Sequence, residues 1–144
     1  MSDAPDQALD LSWDDLPVGL ERTVTMRVTT DDVAAFAQLS GDRSPIHVDD
    51  RAAKAQGLPG IVAHGALLAA RVSALIGMQL PGRRGILKGF ELQFRNPLVP
   101  PADIRIHAVI TSRSEAVRQL RIQITISDAA GVELASGKVS SIVR

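Results

Sequence analysis

Apolar and polar residues alternate with a period of two along several stretches of this chain. Between residues 21 and 28, Val24, Met26 and Val28 interleave with Thr23, Thr25 and Arg27, which puts one face of a strand in a core and the other in water. The second half extends the pattern. Strands are predicted over residues 85–95, 103–112, 117–127 and 132–143. Ile104, Ile106, Ala108 and Ile110 share one face, as do Leu120, Ile122, Ile124 and Ile126 in the strand that follows. These read as antiparallel strands with one wet face. Residues 128–131 supply the last turn, whereas Gly137 and neighbouring serines blur the period of the final strand and leave its register open.

A helical period takes over in between. Thr29 and Asp32 form a capping box with Asp in place of Glu, and Val33, Phe36, Ala37 and Ser40 follow at helical spacing, so a short helix is expected to end near Gly41. The segment SGDRSPIHVDD then reads as irregular backbone built on Gly41 and Pro45, with a second short helical piece near residues 51–56. The run ALLAARVSALIGMQL is apolar on almost every side and carries one charge, Arg71, the signature of a buried helix. At 1.5 Å per residue it spans roughly 22 Å, enough to cross a small sheet and too short for a bilayer. One buried helix among five strands predicts an α+β class in which an antiparallel sheet wraps the helix. Residues 1–19 are acidic, hold two prolines and read as a loose arm able to lay Trp13 or Leu16 on the body. Residues 20–144 read as one domain, with Pro97, Pro100 and Pro101 marking a kinked strand end rather than a linker.

Composition narrows the function. The 144 residues carry 16 Lys and Arg against 16 Asp and Glu, so no basic field exists to hold a nucleic-acid backbone, and the lack of net repulsion favours self-association. Without cysteine there is no disulfide framework and no thiolate nucleophile, and three scattered histidines make no zinc signature, so no metal is expected. One Trp, three Phe and no Tyr leave the core aliphatic and supply no base-stacking platform. The N-terminal stretch lacks the basic flank and apolar core of a signal peptide, and no apolar run reaches about 20 residues, so a cytoplasmic protein without a membrane span is expected.

The chemistry concentrates in the loop and at the helix start. Asp42 and His47 lie five residues apart across a proline turn; a carboxylate and an imidazole can share a water near neutral pH, one accepting a proton while the other orients or donates. They also read as a turn-capping carboxylate and a surface imidazole. His64 and Gly65 open the long helix, where unpaired amides and the helix dipole suit a growing negative charge on an oxygen. Gly65 equally reads as a close-packing residue. Ser73, eight residues on and about 80° around the helix, is expected inside the fold, either against a polar partner or bonded back to the Ala69 carbonyl. Arg83, Arg84 and Lys88 are candidates for the phosphates of a carrier. His107 falls on a polar face and reads as a surface residue. No phosphate-cradling glycine loop occurs.

The segment FAQLSGDRSPIHVDD, followed at the right spacing by GIVAHGALLAARVSALIGMQLPG, resembles the MaoC and (R)-specific enoyl-CoA hydratase family, whose motif runs S-G-D-x-N-P-x-H-x-D with a later V-H-G-M-L. The stretch LQFRNPLVPPADI is similar to a later strand of that family. The resemblance implies a hot-dog fold, a dimer or dimer-based oligomer, and reversible syn addition of water to a trans-2-enoyl thioester of coenzyme A or an acyl carrier protein, without cofactor. It makes Asp42 and His47 the water-handling pair, gives the thioester oxygen to the Gly65 amide, and sets Ser73 near the pair. Ser44 stands where the family has Asn, and Ala66 where Met is frequent, at a helix that lines the acyl tunnel. A hot-dog thioesterase and a non-catalytic acyl-thioester-binding subunit are the alternatives.

Overall fold

The computed structural model describes residues 5–144, so the first four residues of the expected arm lie outside the described residues. Five antiparallel strands form one sheet, namely β1 (Glu21–Val28), β2 (Gly85–Phe94), β3 (Ala102–Ser114), β4 (Gln119–Asp128) and β5 (Glu133–Val143), in the order β1-β3-β4-β5-β2. Between β1 and β2 the chain makes four helices, α1 (Thr30–Ser40), α2 (Pro45–Val48), α3 (Asp50–Ala55) and α4 (Gly65–Met78). This is the α+β hot-dog arrangement.

The alternating positions land on one face. Ile104, Ile106, Ala108 and Ile110 of β3 and Leu120, Ile122, Ile124 and Ile126 of β4 are all completely buried. The register sets Ile106 opposite Ile126, Ala108 opposite Ile124 and Ile110 opposite Ile122, so branched side chains pack across the strands. Truncating any one of these isoleucines to alanine removes contacts worth about 2–5 kcal/mol. In β5 the blurred period has a local cause. A side chain at Gly137 would strike the carbonyl oxygen of Glu91 on β2, and the buried Ser141 hydroxyl donates to the Ile86 carbonyl at 3.2 Å. Small and polar residues thus let β2 approach β5 closely. The capping box forms as well, with Asp32 N–H donating to Thr29 Oγ1 at 3.0 Å and Thr29 N–H to the Asp32 carboxylate at 2.8 Å.

Helix α4 departs from all-round burial. Leu67, Leu68, Val72, Leu75 and Ile76 join the core beneath the sheet, whereas Ala66, Ala70, Ser73, Ala74 and Gly77 are exposed. A single sheet covers one side of a helix, and small residues keep the other side apolar without giving it anything to pack against. Ser73 therefore lies on the open side and not inside this chain. Edge strand β2 is similarly bare, with Ile86, Leu87, Phe90 and Phe94 all exposed.

The N-terminal segment is docked and not loose from Leu9 onward. Leu9 N–H donates to the Met78 carbonyl at 2.8 Å, Arg83 N–H donates to the Leu9 carbonyl at 3.0 Å, and both Trp13 and Leu16 are buried in the main core. Trp13 Nε1–H donates to the Glu115 carboxylate at 2.8 Å, and the Arg113 guanidinium stands 4.1 Å over the indole ring. The Trp13 hydrogen bond, followed by that from Arg113, holds the Glu115 carboxyl below the usual glutamate range. A lowered folded pKa makes this contact contribute above the ordinary glutamate value of about 4.3 and lose that contribution as pH falls below it. Trp13 is the sole tryptophan. Its emission is expected to hold steady from pH 7 to about 5 and to shift red only under more acidic conditions; a shift already complete at pH 5 would contradict this docking.

Candidate active site

Loop chemistry sets the first group. Helix α1 ends at Gly41, whose φ of 78° is the left-handed turn that glycine adopts without strain. Asp42 N–H then donates to the Ser40 hydroxyl at 3.1 Å, and Asp42 Oδ1 accepts the Ser44 N–H at 3.1 Å. This Asx turn fixes the aspartate while leaving its carboxylate exposed. The sequence predicts irregular backbone after it, but a helical turn forms instead. Ser44 is the N-cap of α2 and Pro45 its first residue, a position where the missing N–H costs nothing. Ser44 contributes main chain only: its side chain makes no cap hydrogen bond. One turn later, α2 presents His47.

Two main-chain carbonyls decide the protonation pattern of both imidazoles. His47 Nδ1 lies 2.6 Å from the Val62 carbonyl oxygen, and His64 Nε2 lies 2.9 Å from the Asp42 carbonyl oxygen. A carbonyl only accepts, so each of these nitrogens carries a hydrogen and the opposite nitrogen of each neutral ring has a free lone pair. For His47 that is Nε2, on a half-buried ring at the pocket wall. For His64 it is Nδ1, which is buried without a partner among the described residues. The rings stack with centroids 3.8 Å apart and 22° between planes, and Phe36 meets His64 edge-on at 4.9 Å. Donor atoms of Asp42, His47 and His64 all fall within 4.8 Å of one another. Metal–imidazole bonds of about 2.0–2.1 Å lie along a lone pair in the ring plane, and nearly parallel stacked planes do not converge at that range. The trio does not fit a shared ion.

A cavity of about 410 Å³ opens beside this pair. His47, Gly65, Leu68, Phe94, Arg95 and Asn96 are among its lining residues. Apolar walls with a few polar groups suit an acyl chain carrying one reactive polar end. Gly65 is the first residue of α4, so its N–H has no acceptor within the helix, and the positive end of the helix dipole lies there. The close-packing reading of Gly65 fits its surroundings. The residue lines the cavity, and a Cβ on it would approach the Phe94 ring to 2.9 Å.

The other candidates separate from this centre. His64 sits beneath the pair with 1% exposure, so it does not face the cavity as an oxyanion or substrate contact. Ser73 is on the exposed side of α4. Arg83 and Arg84 follow the far end of α4, about 20 Å from Gly65 along the helix, and both pair with Asp10 of the docked N-terminal segment. Lys88 is exposed on β2. His107 is a surface group, 2.9 Å from the Glu21 carboxylate. Sequence reasoning missed Phe36, which braces His64, and Phe94, Arg95 and Asn96, which wall the cavity. For the last three the signal was the LQFRNP strand end, read as a kink and as similar to a later strand of the family.

Comparison with known proteins gives this geometry a family. The family described as MaoC like domain matches residues 17–131. The chain is 30% identical over 117 residues to a 3-hydroxybutyryl-CoA dehydratase of Methylorubrum extorquens, covering 81% of this chain and 74% of that protein. It is 34% identical over 105 residues to an (R)-specific enoyl-CoA hydratase of Aeromonas caviae, covering 73% and 78%. The solved structure of an (R)-hydratase from A. caviae involved in PHA biosynthesis superposes with a TM-score of 0.85 at 29% identity, over 90% of this chain and 98% of that one. With the hot-dog sheet, the motif loop and the helix-start glycine all in place, the chain belongs to the MaoC-like hydratase and dehydratase family.

Proposed function

We propose that this protein adds water reversibly to a trans-2-enoyl thioester, giving an (R)-3-hydroxyacyl thioester, with Asp42 and His47 as its catalytic residues. The observation that carries the reading is the committed His47 ring: its Nδ1–H is spent on Val62, which leaves Nε2 as a base at the wall of the cavity, next to the Asp42 carboxylate. In the forward direction the pair holds one water. Its oxygen bonds to C3 of the enoyl group while its proton passes to the pair, and the C2–C3 π electrons shift toward the thioester carbonyl. The Gly65 N–H and the dipole of α4 stabilise the charge that grows on that oxygen, an effect typically worth about 10²- to 10³-fold for one donor. The held proton then returns to C2 on the same face. Atoms balance without a cofactor: one water enters and one C–O and one C–H bond form.

The carrier is coenzyme A or an acyl carrier protein, and a second copy of the chain completes the site. Strand β2 has one unpaired edge and exposes Ile86, Leu87, Phe90 and Phe94. Two-fold pairing through β2 is antiparallel, so it brings the Gly85 end of one copy beside the Phe94 end of the other. Arg83 and Arg84 of the second copy then approach a cavity that is remote from them within one chain, which supports their proposed part in holding the carrier's phosphates. Charge on β2 tests this. Leu87→Asp with Phe90→Asp is expected to reduce the particle to the 15.3 kDa monomer in light scattering and to remove hydration with it; a parent that is monomeric and fully active would overturn the assembly.

The reaction itself is read from the loss of enoyl-thioester absorbance with crotonyl- and octenoyl-CoA. The parent is expected to hydrate at least one of the two, and Asp42→Asn and His47→Gln, both folded, to fall by at least about 10²-fold. A folded parent that leaves both substrates and their carrier-protein forms untouched would sink the hydratase reading and favour the non-catalytic binding subunit.

A further inference from the structure

We propose that His64 is a positioning residue, holding the Asp42 main chain from beneath through its Nε2–H while its ring seats His47. The inference rests on the hydratase reading above. His64 is the N-cap of α4, yet its side chain makes no bond to that helix. The donor reaches instead to the Asp42 carbonyl at 2.9 Å, 22 residues earlier in the chain. Residues 41–45 are all exposed, and the remaining side-chain ties of Asp42 are to Ser40 and to its own turn. Among the described residues, His64 is thus the one buried side chain that bonds this stretch. The rest of the ring is equally fixed. It is 1% exposed, stacked on His47 at 3.8 Å and braced by the Phe36 edge.

The unpartnered Nδ1 gives the argument its direction. A buried ring nitrogen without a hydrogen-bond partner destabilises the fold, and a phenylalanine at this position would keep the stack and the edge contact without that cost. What phenylalanine cannot do is bond Asp42. The histidine therefore trades stability for the placement of a carboxylate, and placement errors of about 1 Å cost up to about 10²-fold in rate. Since Asp42 and His47 act on water, loss of the tether should slow turnover and leave substrate affinity nearly intact.

His64→Phe is expected to melt within a few degrees of the parent, to keep KM within about 3-fold, and to lose about 10- to 100-fold in kcat. Made together with Asp42→Asn, it should slow the enzyme no further than Asp42→Asn alone, because both act through one carboxylate. A general structural role would instead lower the melting temperature and multiply the two losses. His64→Gln, which retains a donor with similar reach, should stay within about 5-fold of the parent in kcat. A parent-like His64→Phe, multiplicative losses, or a Gln variant as slow as Phe each overturns the proposal. Amide hydrogen exchange at residues 41–44 gives a readout independent of activity. It should quicken at least about 10-fold in His64→Phe and not in His64→Gln; should His64→Phe fail to fold, exchange in His64→Gln decides, parent-like rates supporting the tether and quickened ones overturning it. A parent without hydratase activity would count against the function, while the exchange data would still judge the tether.

Discussion

The site depends on one packing event, the burial of the inner face of α4 against a five-stranded sheet. Leu67, Leu68, Val72, Leu75 and Ile76 enter the same core as the isoleucines of β3 and β4, and that contact fixes where the helix begins. The start of the helix is what the proposed chemistry needs held still. Gly65 and the unpaired amides of the first turn acquire a defined position only because the turns behind them are locked in apolar contact, and the backbone at Ala63 is bonded to Leu98 from the other side. A fold stabilised on one side of a helix can thus present its polar end at a cavity wall without that end contributing to stability.

Around this fixed point the polar groups are ordered by main chain rather than by one another. Val62 and Asp42 carbonyls set the hydrogens on two rings, the Ser44 amide holds one carboxylate oxygen, and among the described residues no acid is buried with the histidines. Main-chain acceptors do not titrate. A neutral His47 or His64 ring is consequently held in one tautomer by fold geometry rather than by the charge of a neighbouring acid.

Much of this was legible along the chain. Strict alternation in β1, β3 and β4, the Thr29 and Asp32 cap, and the proximity of Asp42 to His47 across Pro45 are local properties, and local properties survive into the fold. What was not legible involved contacts between distant segments. Nothing in the sequence of α4 says that one side of its apolar surface is covered and the other is not, because alanine and serine satisfy either state; Ser73 was misplaced for that reason. Arg83 and Arg84 read only as candidates for carrier phosphates, and their pairing with Asp10 was hidden because it lies more than seventy residues away. His64 read as part of an oxyanion site because it opens α4, where unpaired amides gather, and its bond to Asp42 spans 22 residues.

The bare edge of β2 also bears on how the molecule comes into being. A ten-residue strand with unpaired main-chain groups and exposed Ile86, Leu87, Phe90 and Phe94 is a template that any extended apolar segment can join. If copies pair through β2 as proposed, newly made chains face a kinetic race between finding an identical partner and sticking to an unrelated one. The outcome would then turn on how many like copies are nearby when folding ends, so crowding by kin would protect such an assembly in a way that intrinsic stability cannot.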